Sequence, residues 1–249
     1  MLNVDRLTIE IDGKCVVEES AFSVRPGKIT SIIGESGSGK SMTIAALLTI
    51  LPLGAKATGH ALFNGRNLLD ASKKEMDAIR KTHIFTIFQD AANSFNPSVK
   101  MERQLYTFSG GRRGDTVQQF RTKMTGLLDE LELSVDILKQ YPFELSGGML
   151  QRCMIACALY VAPDLLIADE PTSSLDRVLQ KEFIELLKRL NEEQGTTILL
   201  ITHDLDVVVE VAHEMVVMQA GKVVETGSVA TIFKQPGHPY TKRLLDSRF

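Results

Sequence analysis

Eight residues constrain this chain more than any other feature: Gly34-Glu35-Ser36-Gly37-Ser38-Gly39-Lys40-Ser41. They fit the pattern G-x-x-x-x-G-K-[ST]. A β-branched run, Ile29–Ile33, precedes them. An apolar stretch over 40–51 follows, which reads as a helix stopped by Pro52 and Gly54. A strand that enters a glycine-rich turn and leaves as a helix aims several backbone N–H groups at one point. The helix adds its positive end. Lys40 places a point charge where the β- and γ-phosphates of a nucleotide would lie, and the Ser41 hydroxyl is placed to ligate Mg²⁺. The candidate nucleotide-binding set is therefore Gly34, Glu35, Ser36, Gly37, Ser38, Gly39, Lys40, Ser41 and, next in the helix, Met42.

Composition narrows the class. Hydrophobic residues are 44% and charged residues 24% of 249, which excludes a disordered or collagen-like chain and suffices for a sizeable core. Lys plus Arg is 28 against Asp plus Glu 31. That balance lacks the basic excess of a nucleic-acid footprint, so no nucleic-acid partner is expected. Cys15, Cys153 and Cys157 form no C-x-x-C pair, and Cys153 and Cys157 read as buried apolar filler in a reducing compartment. The first residues are charged and alternating, unlike a signal peptide. No run approaches the roughly 18 apolar residues of a membrane span, so a membrane role must come through a partner.

Strand and helix patterns alternate along the chain. Val4–Ile11 and Val16–Val24 read as strands, and Ala61–Phe63 with Asn64-Gly65 as a hairpin. Ile84–Phe88 is a further apolar run. Val117, Phe120, Met124, Leu127, Leu128 and Leu131 recur at helical spacing, so residues 90–154 read as a mainly helical insert. Beyond it, Leu165–Ala168 and Thr196–Ile201 read as strands, Leu179 to Leu190 as a helix stripe, and Met215–Met218 with Lys222–Thr226 as a hairpin about Ala220-Gly221. Continuous apolar strands separated by helices predict an α/β fold with a parallel sheet covered on both faces.

Three apolar strands end in polar residues. Leu165-Leu166-Ile167-Ala168-Asp169-Glu170 ends in two acids, a costly pair without a cation nearby. Asp169 is the candidate Mg²⁺ partner. Glu170, one residue on, is the candidate general base that polarises an attacking water. His203, after Ile198–Thr202, would share their sheet edge and bridge the γ-phosphate and that water. Gln89, after Ile84–Phe88, is a candidate to reach Mg²⁺ or the water. Finally, Leu145-Ser146-Gly147-Gly148-Met149-Leu150-Gln151-Arg152 opens a helical stretch with Ser146 as N-cap, and its exposed N–H groups suit a phosphate. Ser109-Gly110-Gly111 repeats the tripeptide, but reads as a basic loop with Arg112 and Arg113.

Taken in order, the phosphate loop at 34–41, Gln89, LSGGMLQR at 145–152, LLIADE at 165–170, Ser174-Leu175-Asp176 and His203 resemble the ATP-binding subunit of ABC transporters over nearly the full length. The resemblance implies a phosphate-loop (RecA-like) core with an N-terminal antiparallel β subdomain, over 1–89 and 155–249, and a helical subdomain over 90–154 carrying the LSGG motif. It implies ATP and Mg²⁺ as ligands, Glu170, His203 and Gln89 in hydrolysis, and Ser41, Gln89 and Asp169 around the metal. It also implies a head-to-tail pair of nucleotide domains, in which Ser146, Gly147, Gly148 and Gln151 meet the partner's ATP and Asp176 lines the contact. Gln89 would couple the site to membrane helices. The implied partners are a second ABC ATPase, more a paralogue than a copy, two membrane-spanning permease subunits and an extracytoplasmic solute-binding protein. The implied place is the cytoplasmic face of the cell membrane.

Two segments narrow the group. Residues 89–97 and Gly237-His238-Pro239-Tyr240-Thr241-Lys242-Arg243-Leu244-Leu245 are similar to peptide/nickel importers. Tyr141-Pro142-Phe143-Glu144-Leu145 with the glycine motif is most similar to the nickel-type D subunit, so a nickel or other metal cargo is expected, with a di- or oligopeptide cargo as the alternative. The family's adenine-stacking aromatic is replaced here by Ile11. No appended regulatory domain is expected after 237–245. A soluble ABC ATPase acting on DNA or ribosomes would carry two motif sets or a coiled-coil insert. A degenerate binding module would have lost part of Lys40, Asp169, Glu170 and His203, which are all present.

Overall fold

The computed structural model describes residues 1–89, 91–173 and 177–246. Its N-terminal part is a hairpin of β1 (Leu2–Ile11) and β2 (Lys14–Val24), followed by β3 (Ile29–Ile33) and helix α1 (Lys40–Leu47). Strands β4 (Ala55–Phe63) and β5 (Arg66–Asn67), helix α2 (Lys73–Thr82) and β6 (Ile84–Ile87) come next. The middle holds α3 (Met101–Phe108), α4 (Gly110–Arg113), α5 (Val117–Glu130) and α6 (Gly147–Val161). Then follow β7 (Leu165–Asp169), α7 (Arg177–Gln194), β8 (Thr197–Ile201) and α8 (Leu205–Val211). The chain closes with β9 (Glu214–Gln219), β10 (Lys222–Ser228), α9 (Val229–Lys234) and α10 (Pro239–Asp246).

Two sheets organise these elements. The first is antiparallel, in the order β2-β1-β4-β5. The second runs β10-β9-β3-β8-β7-β6, with β9, β3, β8, β7 and β6 parallel and β10 antiparallel at the edge. This is the α/β phosphate-loop architecture with an antiparallel β subdomain. The unalternating strands are explained by two-sided burial. Leu165, Ile167, Leu199 and Ile201 face a core shared with α1 and the antiparallel sheet. Leu166, Ala168, Ile198 and Leu200, their neighbours in sequence, face a core shared with α6 and α7. A strand wetted on neither face has no need of polar alternation.

Local chemistry sets the helix ends. Ser72 and Glu75 form a capping box on α2, as Thr116 and Gln119 do on α5. Helix α6 is buried on nearly every side, including Cys153 and Cys157, and burial pushes the Cys153 thiol up to about 12.

Two expectations are corrected. The helix expected over 40–51 ends at Leu47, because Thr49 turns to φ 52° and the Ile50 N–H bonds back to the Ala45 carbonyl at 2.9 Å. The basic loop expected at 109–114 contains the helical turn α4. Its Arg112 is not solvated: the guanidinium donates to the carbonyls of Arg80, Lys81 and Ile84 and lies 5.2 Å from the Phe85 ring centre.

Candidate functional site

Parallel strands present all their carboxyl ends at one sheet edge, where open α/β sheets bind ligands. Gly34 follows β3, His203 is the second residue after β8, Asp169 ends β7, and Gln89 lies just beyond β6. An open cleft of about 720 Å³ at this edge is lined by Ser36, Gly37, Gly39, Lys40, Ser41, Met42, Gln89, Glu170 and His203, with Val16. Residues far apart in sequence thus meet because their strands are neighbours.

The phosphate loop is tightly built. Gly34 has φ 154°, and a Cβ there would lie 2.2 Å from the Met218 carbonyl oxygen, so no side chain fits. Gly39 caps α1 with φ 101° and no side-chain bond, which leaves the first N–H groups of the helix free for an anion. Lys40 is 7% exposed, and its Nζ donates to the Gly34 carbonyl at 2.7 Å and the Glu35 carbonyl at 2.9 Å. Burial pushes its ammonium below the usual lysine value, against the pull of Glu170 and Asp169. An additional anion beside Lys40 would relieve that cost.

The carboxylates divide as their sequence offset suggests. Asp169 turns toward the loop, where Ser41 hydrogen-bonds it and Lys40 attracts it. Burial, and then the charge of Glu170, push the Asp169 carboxyl up. Its Oδ1 is buried without a hydrogen-bond partner among the described residues. An orphaned buried carboxylate oxygen beside a serine hydroxyl is a hard-oxygen donor set that fits Mg²⁺. Glu170 adopts φ 48°, a conformation costing roughly 1–3 kcal/mol for a residue with a side chain. Its N–H is pinned to the Ile201 carbonyl at 2.9 Å, and its Oε2 lies 2.7 Å from His203 Nδ1.

The LSGG segment does not enter this cleft. Ser146 caps α6 by accepting from the Met149 N–H at 3.3 Å, and Ser146 and Gly147 are exposed. A Cβ on Gly148 would press on the Leu179 side chain at 2.7 Å. Gln151 is buried, its amide donating to the Pro171 carbonyl, so it braces the segment after Glu170 instead of facing solvent. Asp176 lies outside the described residues. Val16, which sequence reasoning passed over, lines the cleft; Ile11 is not among its lining residues. Only the packing of β2 against Gly39 of the loop reveals this, and no motif marks it.

Comparison with known proteins agrees with this geometry. Residues 17–173 match the family model described as ABC transporter. The chain is 39% identical over 252 residues to the dipeptide transport ATP-binding protein DppD of Escherichia coli K12, covering 98% of this chain and 77% of that protein. It is 40% identical over 233 residues to the oligopeptide transport ATP-binding protein OppD of Salmonella typhimurium LT2, covering 93% and 70%. Its fold superimposes on the ATP-binding cassette MJ0796, in a dimeric post-hydrolysis state bound to ADP and Pi, with a TM-score of 0.80, 26% identity, and coverage of 92% of this chain and 99% of that one. The chain belongs to the ABC transporter family. It is an ATP-binding, transport-coupled ATPase of the peptide-importer type. These relatives favour the peptide alternative over the metal cargo expected from residues 141–152.

Proposed function

We propose that this chain hydrolyses ATP to drive a di- or oligopeptide importer. The observation that supports this most is the single cleft in which Lys40, Ser41, Gln89, Glu170 and His203 converge, in a chain related to dipeptide and oligopeptide transport ATP-binding proteins.

Lys40 leaves its loop carbonyls to hold the phosphates, and the loop N–H groups share their charge. Ser41, Asp169 and Gln89 would hold Mg²⁺, which would supply positive charge to neutralise the phosphates. Glu170 takes the proton of the attacking water. His203, bonded to Glu170, fixes that carboxylate and reaches the γ-phosphate. The exposed Ser146–Gly148 end of α6 closes over the ATP of a second nucleotide domain, with Asp176 at the contact. Residues 1–89 with 155–249 form the core and β subdomain, and 90–154 the helical subdomain.

Among the described residues no helix is long and apolar enough to cross a membrane. The chain works peripherally, at the cytoplasmic face, with a second ABC ATPase, two permease subunits and an extracytoplasmic binding protein. A mostly apolar cleft of about 590 Å³, lined by Ile50, Phe85, Phe88 and Met154, adjoins Gln89 in sequence through Phe88 and suits a permease segment.

The test is uptake in cells carrying Lys40→Ala. Loss of labelled di- or oligopeptide accumulation with intact nickel accumulation is expected. Loss of nickel alone would return the cargo to metal.

A further inference from the structure

The segment Gly237–Leu245 resembles peptide/nickel importers, yet the hydrolysis just described leaves it idle. In the fold it forms α10, and its Tyr240 reaches the phosphate loop. The Glu35 N–H donates to the Tyr240 hydroxyl at 3.0 Å, across 205 positions of sequence.

The amide involved is a particular one. The Glu35 N–H and the Gly34 carbonyl belong to the same peptide group. That group is planar and trans, so its N–H and C=O point in opposite directions. Tyr240 accepts on one side, and Lys40 Nζ donates to the Gly34 carbonyl at 2.7 Å on the other. One peptide plane therefore lies between α10 and the lysine that binds phosphate. The rest of the loop start is fixed from behind, since Gly34 abuts the Met218 carbonyl and the Gly221 N–H donates to the Ser38 carbonyl at 3.1 Å. Tyr240 holds this peptide on the side opposite Lys40.

Tyr240 is itself well anchored. It is 3% exposed and packs with Ile33, Val208, Val217 and Ile232. The start of α10 is clasped by Glu225 of β10, whose carboxylate accepts from the N–H groups of Gly237 at 2.8 Å and His238 at 3.0 Å. A hydroxyl this rigid prepays the ordering of the loop before nucleotide arrives.

We infer that Tyr240 is a positioning residue for nucleotide binding: its hydroxyl fixes the Gly34–Glu35 peptide and, through it, the resting place of Lys40. This rests on the reading of 34–41 as the phosphate site. It also gives the C-terminal segment a task within this subunit.

The experiment titrates the full-length chain with ADP and magnesium, beside Tyr240→Phe and Leu245→Ala. Leu245 packs α10 in the same apolar cluster and has no side-chain polar atom with which to hold a loop peptide. Removing one hydrogen bond predicts a Kd for ADP about three- to tenfold higher in Tyr240→Phe. The KM for ATP should rise by the same factor with kcat near wild type. Leu245→Ala should lower the thermal midpoint and leave Kd near wild type. Hydrogen exchange of the Glu35 amide is the second readout: protected in the wild-type chain, faster in Tyr240→Phe. An unchanged Kd in Tyr240→Phe overturns the inference. So does a Kd that follows thermal midpoint in both variants, or an unprotected Glu35 amide in the wild type. If the wild-type chain binds no ADP, the phosphate-site reading itself fails.

Discussion

His203 Nδ1 stands 2.7 Å from Glu170 Oε2, joining the residue after β7 to the end of the loop that leaves β8. The two side chains differ in setting: His203 is 68% exposed and Glu170 only 15%. The carboxylate is thus sheltered and held, while the imidazole edge looks into the cleft. General acid–base catalysis is worth about 10²- to 10⁴-fold, so Glu170→Gln should lose that much kcat with ATP affinity retained. His203→Ala, which frees the carboxylate without deleting it, should lose less. Single-turnover hydrolysis checks the order of the two.

Lys40 donates to two loop carbonyls and carries a buried charge. Lys40→Ala should weaken ATP binding about ten- to a hundredfold, the worth of charge-assisted bonds. The nucleotide-free chain should lose little thermal stability, because the removed charge was desolvated. Calorimetric titration and a melting curve on the same preparation test both halves.

Asp169 offers a signed pH experiment. Burial and Glu170 raise its folded pKa above the unfolded value, so the folded state binds the extra proton and stability falls as pH rises through that window. Above it the ionised carboxylate opposes folding in full. In EDTA at neutral pH, Asp169→Asn should therefore melt higher than wild type. The gap should close as pH falls below the ordinary aspartate value of 3.8. ATPase activity should be lost in the same variant.

His213 works in the opposite direction. Its Nδ1 accepts from the Ile29 N–H at 3.1 Å, a role open only to the neutral ring. Burial and then Lys28 lower its pKa, against a weaker pull from Glu192. The unfolded chain takes the proton first, so stability is complete above the ordinary histidine value of 6.5 and declines as pH falls through the folded value. Urea midpoints between about pH 8 and pH 5 should show this slope, and His213→Gln should flatten it.

The sequence made the candidate site's position legible wherever an apolar run ended in a polar residue. Asp169, Glu170 and His203 were readable because strands buried on both faces cannot carry such groups except at their ends. The loop at 34–41 was readable because its glycines are demanded by close approach, as at Gly34 against Met218. Other features were set by packing between distant segments. Ser109-Gly110-Gly111 and Ser146-Gly147-Gly148 are the same tripeptide, yet Gly110 is pressed against Phe120, where a Cβ would lie 2.9 Å from the Phe120 Cβ, while Gly147 meets nothing. Arg112 looked like a solvated charge, but the carbonyls of Arg80 and Ile84 were waiting for it. Tyr240 could be tied to Glu35 only once β3 and α10 were placed side by side. The cargo was less legible: residues 141–152 pointed to metal, whereas the relatives favour the peptide alternative.

One measurement bears on the whole account: a crystal structure of Glu170→Gln grown with ATP and magnesium. The account predicts the triphosphate wrapped by residues 34–41, Lys40 moved from the Gly34 carbonyl onto phosphate oxygens, and Ser146 of a second chain against the γ-phosphate. A loop left empty, with Lys40 still on its carbonyls and nucleotide bound elsewhere, would contradict it.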